Sequence, residues 1–141
     1  MTERKMKNPA DAREWLSRAR GMEAEVKAYE AAIEEVRERC TRTTRESGRE
    51  PVQTSLKPHA YDRLAEYESG LREKIDERLA VIAEITDTIM RVPSAKQRTV
   101  LFSYYVRCRT LEQIAEDMDC SSRNVQNLRK RGEMWITGKS L

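Results

Sequence analysis

Arg123, Gln126, Asn127 and Lys130 are spaced to share one face of a helix, and their side chains can read the edges of paired bases. Arg and Lys donate to guanine O6 and N7, while Asn or Gln pairs with adenine N6 and N7. From Ser121 to Gly132 there is no acidic residue to repel a phosphate backbone. Ser122 and Arg129 border one edge of this face, and Asn124 and Arg131 the other. They are expected to meet phosphates, contacts that hold register without reading sequence. Lys96, Arg98, Arg107 and Arg109, which precede the helix, are expected to add backbone contacts. The partner these residues suit is double-stranded DNA, with the helix over 122–135 in the major groove.

In a helix-turn-helix a second helix braces the one that enters the groove. Residues 110–131, TLEQIAEDMDCSSRNVQNLRKR, carry the pattern of such a helix-turn-helix. Ala115 is small enough for the two helices to approach closely. Asp119, four residues later, falls at the turn, where a left-handed conformation is needed and Asp is tolerated after Gly and Asn. Thr110 and Gln113 form a T-x-x-Q capping box, and Ser121 is placed to cap the second helix. Val125 and Leu128 then point back at Ile114, Ala115 and Met118, with Cys120 as a small apolar neighbour. On the same inward side fall Gly132 and Trp135.

Charge agrees with this placement. The net charge of +3 is unevenly spread: from Ser94 onward there are nine Lys or Arg against five Asp or Glu, and before it eighteen against nineteen. Charged residues make up 36%, hydrophobic ones 38% and aromatic ones 6%, which favours helices with narrow buried stripes over one thick core. The three cysteines form no C-x-x-C pair, and His59 is the lone histidine, in a Lys-Pro-His segment. No metal site, cofactor or catalytic residue is expected, because no phosphate-cradling glycine loop, metal-ligand spacing or nucleophile elbow is present. The chain is not expected to be an enzyme. No apolar run is long enough for a membrane span and no signal-peptide core is evident, so a cytoplasmic protein is expected.

The first 92 residues read as a helical hairpin. Trp15, Ala19, Met22, Val26, Tyr29, Ile33, Val36 and Cys40 alternate four and three apart, predicting one helix over about 10–40, roughly 45 Å long. Residues 41–59, with a Ser-Gly pair, two prolines and several threonines, predict a loop. A second helix over about 60–91 carries Leu64, Tyr67 or Glu68, Leu71, Ile75, Leu79, Ile82, Ile85 or Thr86, and Ile89 on its seam. The expected fold is all-α: a long antiparallel coiled-coil hairpin (1–92) followed by a small helix-turn-helix bundle (93–141). Pro93 ends the second helix and Ser94 caps a short one over 95–105. The hairpin's narrow seam makes it a candidate surface for a homodimer.

The stretch from Pro93 to about Met134, and T-L-E-Q-I-A-E-D-M-D-C-S-S-R-N-V above all, resembles sigma-factor region four. With PVQTS at 51–55 and Pro93, Arg98, Leu101 and Tyr105 in a P-x-x-x-R-x-x-L-x-x-x-Y-like element, the whole chain is similar to small phage and prophage proteins of the RinA- and ArpU-like transcriptional regulators. In this pattern Arg98 stands one step late, and Asp119 and Cys120 replace the usual Gly and aliphatic or aromatic pair. Only Ser121, Arg123 and Val125 carry over, as S-x-R-x-V. The resemblance implies a host RNA polymerase or a late promoter as partner, in a bacterial host cell. These residues hold no counterpart of sigma region two, so promoter opening alone is not expected.

The leading expectation is a sequence-specific DNA-binding phage transcriptional regulator, of the late-gene activator or repressor type. Two other roles fit the same elements: a DNA-packaging component like a small terminase subunit, and an interaction protein that binds RNA polymerase.

Overall fold

The computed structural model describes residues 6–46 and 58–138, and of 42–46 and 58–59 the backbone alone. These residues form six α-helices and no strand: α1 Pro9–Ser17, α2 Met22–Glu46, α3 Pro58–Met90, α4 Ala95–Leu101, α5 Leu111–Met118 and α6 Ser122–Thr137. A π-helical stretch, Phe102–Val106, continues α4. The all-helical class expected from the sequence holds for the described residues. None of their helices is long and apolar enough to cross a membrane.

The predicted helix over 10–40 is two helices. Asn8 starts α1, its side chain accepting the Asp11 N–H at 3.0 Å. Between α1 and α2 the chain turns at Gly21, whose φ of +83° suits a residue without a Cβ. The 3.5-residue repeat runs through this point in sequence but not in space. The segment before α1 includes a buried Met6. At the other end α2 reaches Glu46 and α3 starts at Pro58, so the predicted loop is shorter at both ends, and 47–57 lie outside the described residues.

The chain forms two compact units that do not part near residue 93 as expected. One unit is Ala24–Glu77; the other joins Met1–Glu23 to Arg78–Leu141. Burial of apolar surface explains the second grouping. Ala12, Trp15, Leu16 and Ala19 share a core with Ile85, Ile89, Val92, Leu101, Tyr105, Val106 and Ile136. A satellite cluster of Val100, Ile114, Ala115, Val125 and Leu128 adjoins Tyr104, Leu111, Met118 and Cys120. Of these, Ile114, Ala115, Met118, Cys120, Val125 and Leu128 are the inward residues predicted for the two C-terminal helices.

In the Ala24–Glu77 unit, α2 and α3 meet through Val26, Ile33, Leu71 and Ile75, with Tyr29 and Ala32 at the margin. Glu68 rather than Tyr67 takes the seam position: Tyr67 is 49% exposed, whereas Glu68 bonds Arg37 at 2.8 Å. In the other unit Leu79 is exposed, while Ile85 and Ile89 are fully buried.

α6 packs on α1, α4 and α5. Gly132 permits the approach to α4, since a Cβ there would lie 2.6 Å from Leu101 Cδ1 and 3.1 Å from its Cγ. Leu101 is wholly buried, so its side chain would have to shift within the packed core. Gly132→Ala is therefore expected to destabilise the chain. Overpacking costs about 1–3 kcal/mol, against about 1 kcal/mol recovered from helix propensity. Urea denaturation of the two proteins checks the sign.

Candidate nucleic-acid interface

Local hydrogen bonding sets where α6 begins and how it is aimed. Thr110 accepts the Gln113 N–H at 3.1 Å, and Gln113 Oε1 accepts the Thr110 N–H at 3.0 Å, closing the predicted capping box. Asp119 ends α5 at φ 54°, ψ 51°, the left-handed conformation expected there, and the Cys120 N–H donates to the Ala115 carbonyl at 3.0 Å. Ser121 caps α6, accepting the Asn124 N–H at 3.1 Å. Four backbone N–H groups and one carbonyl at the helix ends are thus satisfied locally.

Arg123, Asn127, Lys130 and Met134 are all exposed, and their four–three–four spacing makes one ridge along α6. Asn124 and Arg131 are exposed on its flank and Ser122 at its start. Among the described residues Arg123 and Arg131 form no ion pair. Gln126 is half-buried and stands at the edge of the ridge rather than on its crest. The three base-facing candidates that share the crest are Arg123, Asn127 and Lys130. Met134, 61% exposed, extends it as an apolar end that the sequence reading missed.

Arg129 departs from its expected phosphate-contacting role. Its side chain is only 12% exposed, lies over the Tyr104 ring at 4.7 Å, and puts Nε 3.4 Å from Glu133 Oε1. The guanidinium is held inward by cation–π attraction and by a buried acid. Three of the four preceding cations are likewise engaged. Arg98 donates to the Val92 and Pro93 carbonyls at 2.8 and 3.0 Å, closing the end of α3. Arg107 pairs with Glu23 at 2.8 Å, and Arg109 with Asp117 at 2.6 Å. Of this group Lys96 is exposed with no such tether among the described residues.

Behind the ridge lies a buried polar group that sequence reasoning did not find. Glu133 is wholly buried and accepts the Tyr105 hydroxyl at 2.6 Å. Arg13 Nε from α1 lies 3.4 Å from Oε2. Burial pushes the Glu133 carboxyl above its ordinary range; the Tyr105 hydroxyl, then Arg129, Arg13 and Lys130, pull it partly back. Burial and then the Glu133 hydrogen bond push the Tyr105 hydroxyl above the usual phenol range. The π-helical stretch brings Tyr105 to this point: the Arg107 N–H reaches the Phe102 carbonyl five residues back. One signal for the site was present in the sequence, an acid four residues after Arg129 and between the inward Gly132 and Ile136.

Compared with protein-family models, curated proteins and solved structures, the chain matches none.

Proposed function

We propose that this chain is a sequence-specific duplex-DNA-binding regulator of phage transcription, which reads the major groove with α6. In this reading α5, the turn at Asp119 and α6 are a helix-turn-helix, and α2 with α3 forms the hairpin arm. The carrying observation is the exposed Arg123–Asn127–Lys130 ridge on a helix whose opposite face packs on three others. Such bracing keeps the donors in place before the ligand arrives, which lowers the entropy lost on binding. Arg123 and Lys130 donate to guanine edges and Asn127 pairs with adenine. Ser122, Asn124, Arg131 and Lys96 meet phosphates. Arg98, Arg107, Arg109 and Arg129 instead hold the module's own carbonyls, carboxylates and ring. The protein acts inside the bacterial cell, and the exposed acids Glu112 and Glu116 of α5 are the side offered to the host RNA polymerase.

Selection from a randomised duplex pool, followed by fluorescence-anisotropy titration between 50 and 200 mM salt, tests this reading. The selected duplex is expected to bind at least about 10³-fold more tightly than a random one. With Lys96 and Arg131 supplying the cationic phosphate contacts, log affinity should fall against log salt with a slope of about −2. Equal affinity for both duplexes would rule out sequence-specific regulation. A ring of many copies in solution would favour DNA packaging instead.

A further inference from the structure

The Ala24–Glu77 unit buries little. Its four best-covered side chains, Val26, Ile33, Leu71 and Ile75, each keep 5–8% of their surface in water, and Tyr61 and Tyr67 are 41% and 49% exposed. Two helices make only one seam, so their flanks stay wet unless something covers them. Along one flank an open groove is lined by Glu30, Ile33, Glu34, Arg37, Arg72, Ile75 and Asp76.

The charges of this groove are sorted along its length. Arg37 bonds Glu68 at 2.8 Å and Arg72 lies 3.9 Å from the same carboxylate, so both guanidiniums gather at one end. Glu30 lies seven residues back from Arg37 on α2, and Asp76 eight residues on from Glu68 on α3. At the usual rise Glu30 stands about 10 Å from Arg37. Asp76 stands about 12 Å from the Glu68 level, to which the Arg72 guanidinium reaches back, though only about 6 Å from Arg72 itself. Both line the same groove and form its acidic end. Ile33 and Ile75 make the floor between, with Glu34 beside Ile33.

We infer that this groove is the interface of a homodimer, occupied by the same groove of a second copy related by a two-fold axis near Ile33 and Ile75. A two-fold axis across the groove turns one copy end for end. Glu30 and Asp76 of each copy then face Arg37 and Arg72 of the other, and the two apolar floors meet to make a four-helix layer. A parallel arrangement would set like charges against each other, so the charge order selects the antiparallel pairing. This inference does not rest on duplex binding.

The test is a reciprocal charge exchange in the full chain, read by sedimentation or light scattering between about 1 and 100 μM. The unaltered chain is expected at twice its 16.4 kDa mass. Glu30→Lys with Asp76→Lys makes both ends of the groove basic, and Arg37→Glu with Arg72→Glu makes both ends acidic. Each double variant alone should self-associate at least about tenfold more weakly, and an equimolar mixture should restore the dimer as a heterodimer. Should circular dichroism find a double variant unfolded, Glu34→Cys replaces it, with Cys40, Cys108 and Cys120 changed to Ser in it and in its control so that no native thiol can link. Mild oxidation should link this variant to itself across the axis, whereas Glu66→Cys should stay unlinked. A monomeric unaltered chain, self-association indifferent to the charges, or equal linking of both cysteine variants would overturn the inference. A monomer that still binds a selected duplex in preference to a random one would sink this interface alone and leave the proposed function standing.

Discussion

Glu133→Ala is expected to cost about 3–5 kcal/mol of folding stability, the range for removing one member of a buried charged group. The substitution strands the buried Tyr105 hydroxyl, leaves the inward Arg129 without its acid and opens a cavity among α1, α6 and the π-helical stretch. Urea denaturation measures it, and a loss under about 1 kcal/mol would mean that water replaces the carboxyl without penalty. Glu133→Gln keeps an acceptor for Tyr105 and is expected to lose less. The comparison also has a pH signature. The folded protein raises the Glu133 pKa, so it binds that proton more tightly than the unfolded chain does. The stability from this linkage is complete below the unfolded carboxyl value of roughly 4.3 and is lost as pH rises through the folded value. The stability gap between the unaltered protein and Glu133→Gln should therefore be wider at acidic than at neutral pH.

Reversing Arg123 and Lys130 together, both to Glu, is expected to lower affinity for the selected duplex on the order of 10³-fold. Each loses a base-edge contact of about 1–3 kcal/mol and places a carboxylate against the phosphates. Folding should lose little beyond the weak pull of Lys130 on the Glu133 carboxyl, since both side chains lie in solvent. Arg129→Ala should do the reverse, lowering stability through Tyr104 and Glu133 while the salt slope of duplex binding is kept. If the double reversal left duplex affinity unchanged, the ridge would not be the contact surface. A chain that kept polymerase binding while losing duplex binding would separate those two partners.

The elements governed by neighbours in sequence were legible from the residues. Pro93 and Ser94 divide α3 from α4, Thr110 and Gln113 box the start of α5, Asp119 takes the left-handed turn, and Ser121 starts α6. Each depends on hydrogen bonds or dihedrals spanning at most four residues, so residue type and spacing suffice. The small cluster around Val125 and Leu128 was legible for the same reason, because helical spacing alone brings those side chains toward Ile114 and Ala115.

What required the tertiary structure lies at helix edges and breaks. At 100° per residue, Gln126 and Arg129 stand on the border between inward and outward, and only the packing of other elements beside them settles their exposure. Tyr104 draws Arg129 in, and the same closure buries Glu133, an acid that composition alone would assign to solvent. Likewise the repeat from Trp15 to Cys40 continues through Gly21 in sequence, yet the chain turns there, and Trp15 and Ala19 join a core with Ile85 and Ile89. The caps, the turn and the all-helical class were thus determined by the sequence itself, through short-range bonding. The unit boundaries, the inward arginine and the buried acid were decided by the fold, because burial is a property of what packs against a residue from far along the chain.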